Sequence, residues 1–167
     1  VMAHYAVYTY ITELVSHIDC RGGIEMALLL FGIGSFVSVM LAMRYTDTAL
    51  RQFTGLMFLL GAIALPAIYL FHKVTAIIYI AFFVWGISFG PLVTMLQAAV
   101  AKHSASAKAI ATSVQSSMFN FSILLATSVG GFLLTKSGIM AVVLLAVALL
   151  VPATLISYSA KSTLGEK

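Results

Sequence analysis

Charge is what this sequence has least of. Asp, Glu, Lys and Arg make up 8% of its 167 residues, where a soluble domain carries about 25%. That scarcity excludes a soluble enzyme, a disordered tail and a nucleic-acid module. Cysteine is nearly absent as well: Cys20 stands alone, so it closes no internal disulfide. No metal-ligand spacing accompanies it, and no cofactor or metal is expected. Catalytic signatures are missing too, with no His-Glu-x-x-His pair, no nucleophile elbow and no phosphate-binding glycine loop. Intramembrane catalysis needs paired titratable groups at depth, and none are present, so the chain is not expected to be an enzyme. Nor is there a basic stretch at the amino terminus of the kind a signal peptide needs. The apolar run Val1 to Tyr8 reads as the interior of a helix, so the chain is expected to be a fragment, or a late start, of something longer.

What the sequence has in abundance is apolar surface. Hydrophobic residues are 62% of the chain, and the mean hydropathy is +1.09. At about 20 residues per crossing, this length holds at most six or seven membrane-spanning helices and no extramembrane domain. Apolar runs fall at residues 1–15 (partial), 24–43, 52–71, 74–101, 109–134 and 139–158, separated by short polar stops. They are twice as long as the roughly ten-residue alternating segments of a membrane barrel. The expected fold is therefore all-α, a six-transmembrane-helix bundle over residues 1–158 with a polar tail at 159–167. Loops this short make sequential helices antiparallel neighbours.

The nine Lys and Arg against five Asp and Glu matter by location. Alternate loops on one side carry Arg44, Arg51, Lys102, Lys108, Lys161 and Lys167, and those on the other carry Arg21, Lys73 and Lys136. The positive-inside tendency makes the richer side, with the carboxyl terminus, cytoplasmic.

Within the spans, two small-residue stripes stand out: Gly34, Ser38 and Ala42 in the second, and Gly86, Gly90 and Thr94 in the fourth. Small residues let helix backbones approach closely in lipid, and Gly90-Pro91 is a place to kink or hinge. The fifth span is the most polar. Ser113, Ser116, Asn120, Thr127 and Gly131 share one face, while Gln115 and Ser122 lie on another. Amides left unpaired in hydrocarbon cost several kcal/mol each, so this helix must be buried or line water. It either hydrogen-bonds a neighbouring helix or contacts a polar solute. In the first span Tyr5, Tyr8, Thr9 and Thr12 share a face. They form either an interfacial belt or a stacking and hydrogen-bonding surface for a ligand, and Tyr10 points elsewhere, to packing. Glu13 lies close to the outer loop and reads as interfacial, His4 as a structural group that could titrate, and Trp85 as core or cavity lining.

The runs Ala3 to Ile11, Leu29 to Phe36, Trp85-Gly86-Ile87-Ser88-Phe89-Gly90, and Ser113 to Asn120 followed by Gly130-Gly131 resemble helices seven, eight, ten and eleven of the major facilitator superfamily. The resemblance is to the carboxyl-terminal half, in the bacterial drug-proton antiporter branch that includes sugar and purine-nucleoside efflux carriers, and it covers essentially the whole chain. It implies a second half of a twelve-helix fold, working with an amino-terminal six-helix half in the bacterial inner membrane. The implied activity is proton-coupled efflux of a small solute bound near the midplane, with alternating access by rocking of the halves. Candidate substrate contacts implied by the resemblance are Tyr5, Tyr8, Thr9, Trp85, Ser88, Ser116 and Asn120, with Gly86, Gly90 and Pro91 in gating or packing. The family's G-R-x-x-D-R-x-G-R-R loop is matched by Arg44, Asp47 and Arg51, while Met43, Thr48 and Leu50 depart from it. Glu13 stands where relatives commonly have Pro. The rival readings are a half-transporter that pairs with itself and a membrane scaffold without transport.

Overall fold

The computed structural model describes residues 1–45, 49–104 and 107–159, and among these every regular element is helical. In chain order they are α1 (Met2–Tyr8), α2 (Ile11–His17), α3 (Gly23–Tyr45), α4 (Leu50–Leu70), α5 (Thr75–Phe89), α6 (Leu92–His103), α7 (Lys108–Ser137) and α8 (Ile139–Ser159). Among the described residues five runs are long and apolar enough to cross a membrane: Gly23–Arg44, Leu50–Leu70, Thr75–Ala101, Lys108–Ser137 and Ile139–Ser159. They coincide with the second to sixth apolar runs of the sequence. Residues 160–167, nearly all of the expected tail, and Asp47 of the loop motif lie outside the described residues.

The first apolar run was expected as one helix, and the structure divides it. Tyr10 leaves helical geometry (φ −110°, ψ 27°), and its amide reaches back three residues to the Val7 carbonyl at 3.1 Å instead of four. The local tightening turns the Tyr10 side chain onto α7, where its hydroxyl donates to the Thr127 carbonyl at 2.6 Å. α1 and α2 are seven residues each, and neither alone reaches the roughly 20 residues that a crossing requires. The fourth run breaks where expected. Gly90 and Pro91 separate α5 from α6 with both residues still near the right-handed helical region, so the chain bends without leaving its path.

α4 sits at the centre of one side, packed against α8 and α5; α5 in turn packs against α3, while α1 packs on α8 and α7. α3 and α7 are left on the flanks as the least covered of the five long helices. The outward residues of α3, among them Leu29, Phe36, Met40 and Met43, suit hydrocarbon.

The small-residue stripes meet each other. A Cβ on Gly86 would collide with the Phe31 carbonyl oxygen, one on Gly34 with that of Phe83, and one on Gly90 would lie 2.7 Å from the Ser35 carbonyl oxygen. Here α3 and α5 touch backbone to backbone, and the Ser35 hydroxyl adds a hydrogen bond to the Gly86 carbonyl at 3.1 Å. Such contact gives many dispersion interactions at no cost in side-chain entropy, which is what associates helices where lipid offers no hydrophobic drive.

α4 and α8 are clasped at one end. Arg51 Nη1 donates to the Tyr158 carbonyl at 2.9 Å, placing a cation at the negative end of the α8 dipole, and the Tyr158 ring lies over Gly55. Arg44, by contrast, is exposed at the end of α3. At the other end α7 and α8 are joined by Gly138 alone, whose φ of +77° only glycine adopts without strain.

Gly86→Val is expected to destabilise the chain by about 1–3 kcal/mol, the usual cost of overpacking. Gly32→Val, at an exposed site with no heavy atom within 4 Å of the new Cβ, is expected to leave the transition unmoved. Thermal unfolding of both variants in detergent checks the pair.

Candidate functional site

The residues singled out in the first apolar run converge on an aromatic cluster. α1 presents His4, Tyr5 and Tyr8, α3 presents Phe31, and α5 presents Trp85 and Phe89. The centre of the cluster is His4, which the sequence reading had left as structural. Its ring stacks on Phe89, with centroids 3.3 Å apart and planes 5° from parallel. Tyr5, Tyr8, Phe31 and Trp85 surround it at 5.2, 5.1, 5.7 and 5.3 Å. Tyr5 extends the cluster to Phe119 of α7, 5.9 Å away. Aromatic pairs at such separations contribute about 0.5–1.5 kcal/mol each beyond the area they bury.

His4 is 6% exposed, and its Nδ1 is buried with no hydrogen-bond partner. A buried polar atom without a partner costs about 1–3 kcal/mol. Periodicity gave no sign of this, because Phe31 and Phe89 are brought to His4 by helices remote in sequence.

The other candidates are distributed as follows. Trp85 is 1% exposed and closes the floor of the cluster. Ser88 is 5% exposed and faces away from it: its hydroxyl lies over Gly61 of α4, where an added Cβ would come within 2.6 Å. Tyr5 and Tyr8 are half-buried, and Thr9, at the break, is exposed. Ser116 and Asn120 lie on the uncovered side of α7. The structure therefore joins Tyr5, Tyr8 and Trp85, and leaves Ser88, Ser116 and Asn120 apart from them.

α7 divides into sectors. Ala126 and Gly130 are its buried residues. Val114, Met118, Phe121 and Phe132 make an apolar exposed face, and beside it Ser113, Ser116, Ser117, Asn120 and Ser128 make a more polar one that the exposed Leu124 interrupts between Asn120 and Ser128. Several of these side chains bond back to their own helix: Ser113 to the Ala109 carbonyl, Ser117 to that of Ser113 and Asn120 Nδ2 to that of Ser116, at 2.9, 3.1 and 3.0 Å. Back-bonding of this kind satisfies a hydroxyl donor within the helix. It uses only one of the four bonds an amide can make.

Gln115 and Ser122, on the other face, line a cavity of about 150 Å³ with Val1, Val93, Leu96, Met118 and Phe119, and Gln115 Oε1 is buried there without a partner. Tyr10 is indeed a packing residue: beyond its bond to Thr127, its ring fills the space left by Gly130 and Gly131. Glu13 is exposed, as an interfacial group would be. In the turn between α2 and α3, burial and then the Asp19 carboxylate hold the Cys20 thiol above its ordinary range, which disfavours the reactive thiolate. No group of three His, Cys, Asp or Glu side chains among the described residues could hold a metal ion.

Long apolar helices packed through glycine, with a polar helix on the flank, define a multi-pass membrane protein. The sequence profile of the Major Facilitator Superfamily matches residues 2–163, and the chain belongs to that family of membrane transporters. No curated protein and no solved structure matches it.

Tyr10→Phe removes one interhelical hydrogen bond while keeping the ring, and is expected to cost about 0.5–1.5 kcal/mol. Tyr10→Ala empties the space over Gly130 and Gly131 as well and is expected to cost more. Unfolding midpoints in detergent rank the two.

Proposed function

We propose that the chain is the carboxyl-terminal six-helix half of a secondary transporter, one that exports a small polar or amphipathic solute such as a sugar, nucleoside or drug in exchange for protons. The observation that carries this reading is the polar face of α7. Ser113, Ser116, Ser117, Asn120 and Ser128 are uncovered in this chain, and a helix bearing that stripe does not sit against lipid at acceptable cost. It needs a water-filled cavity, a solute, or a partner helix. In a carrier of this family all three are met by placing α7 at the boundary with an amino-terminal half, so that Asn120 and Ser116 offer hydrogen bonds to the solute from one side. Tyr5, Tyr8 and Thr9 offer ring faces and hydroxyls from another. Trp85 then supports the tyrosines, and Ser88 acts through the α4–α5 contact.

The α1–α2 break at Thr9–Tyr10 and the α5–α6 break at Gly90–Pro91 supply the flexible joints that alternating access uses. The loop basicity supports a cytoplasmic carboxyl terminus, and the resemblance to bacterial efflux carriers supports a location in the inner membrane. Arg44 and Arg51 lie on that side. The same uncovered face would also accept a second copy of the chain, which would make a self-paired half-transporter, or the helix of a scaffolded partner.

In the intact carrier, Asn120→Ala and Tyr8→Phe are expected to weaken efflux and ligand-induced thermal protection, with membrane insertion unchanged. Screening the purified protein by thermal shift against sugars, nucleosides and lipophilic cations identifies the solute class. Efflux and protection that stay at the parental level in both variants remove these residues from the site. A chain that transports when reconstituted alone supports self-pairing.

A further inference from the structure

Among the described residues, His4 is the only acidic, basic or imidazole side chain that is buried, and the transport reading gives it no task. Its position is specific. Phe89, on which it stacks, is the last residue of α5, directly before the Gly90–Pro91 break, and His4 itself stands five residues before the Thr9–Tyr10 break. The stack thus joins the two broken helices close to both of their joints. Four more rings close around it, and Nδ1 reaches no acceptor or donor.

The other titratable groups that face it are few. Its own helix contributes the Tyr5 and Tyr8 phenols and, one turn back, the amino group of Val1. α3 and α5 present only Phe31, Trp85 and Phe89. α7 keeps its lysines, Lys108 and Lys136, at its two ends, and α8 has no charged residue. No carboxylate is at hand to pair with an imidazolium.

A neutral imidazole is at home in such a box. A charged one has two N–H donors and a full charge to accommodate. Ring faces attract the charge, but Nδ1–H meets no acceptor, and a buried charge without a hydrogen-bonded partner is expelled toward water. We propose that His4 is the proton-carrying group of this half of the transporter. Neutral, it latches α1 to α5 through Phe89; on taking a proton from water onto a ring nitrogen it leaves the aromatic box and frees α1 from α5 at the two breaks. The proton returns to water when the ring comes back, and no bond other than N–H is made or broken. The coupling consequence rests on the transport function proposed above, whereas the protonation itself does not.

The chain carries its own reporter. Trp85 is its single tryptophan, buried 5.3 Å from His4, so departure of the imidazole from the box opens the indole to water and moves its emission to longer wavelength. The purified chain, in detergent or nanodiscs, is titrated from about pH 8 to about pH 4, through and beyond the range in which a solvent-exposed histidine changes charge. The expected result is a single-step red shift of Trp85 emission on acidification, accompanied by faster amide exchange in α1. Both are abolished in His4→Phe, which keeps a stacking ring but carries no proton. Both are retained in His17→Gln and His72→Gln. A flat titration in the parent chain, or the same step in His4→Phe, overturns the proposal. Should His4→Phe lose its helical circular dichroism, His4→Gln takes its place, with the same two outcomes. Because the titration needs no transport, a silent His4 and a carrier that moves no solute are told apart.

Discussion

Direct contact between the backbones of α3 and α5 is the constraint on which the rest of the architecture depends. Gly34, Gly86 and Gly90 leave no room for a methyl group between these helices, and in a lipid solvent close approach is the main source of affinity between apolar helices. The contact fixes the height of Phe31 against Trp85 and Phe89, and therefore the shape of the aromatic box into which α1 inserts His4. α1 is short and interrupted, and it is held by what it touches: the box on one side, and the groove that Gly130 and Gly131 open for Tyr10 on the other.

Polar groups in the bundle follow a clear rule. Where helices pack, hydroxyls are few and bond to backbone carbonyls: Ser35 crosses to Gly86, and Thr54 and Thr154 turn back to Leu50 and Leu150. The uncovered side of α7 carries the surplus. The apolar outer face of α3 and the serine-rich face of α7 therefore ask for different surroundings, hydrocarbon for one and water or a polar partner for the other. That difference gives the bundle an apolar outer side and a more polar one.

Much of this was legible in the sequence. Hydropathy placed the five long helices within a few residues, because the length of an apolar run is set directly by bilayer thickness. The stripes Gly34, Ser38, Ala42 and Gly86, Gly90, Thr94 marked two tightly packing helices, since only small residues permit close approach, but not that these two pack on each other. Gly90-Pro91 marked its own bend. The interruption at Thr9–Tyr10 was not legible: no glycine or proline signals it, and it exists because Tyr10 has a carbonyl and two glycines to reach on a helix more than 100 residues away. The enclosure of His4 was hidden for the same reason. A lone histidine in an apolar run has no pattern, and the rings that enclose it come from three separate helices. Ser88 shows the converse, a residue grouped with Trp85 by the family resemblance and turned by the helix to a different neighbour.

The one-residue connection at Gly138 has a mechanical corollary. With no slack there, the adjoining tips of α7 and α8 cannot draw apart, so α7 behaves like one leg of a pair of compasses whose pivot is that glycine. Its serine-bearing flank then sweeps the widest arc at the Lys108 tip, where the fulcrum is some thirty residues away. Any swing of α7 about that glycine is therefore felt least near Ser137 and most near Lys108.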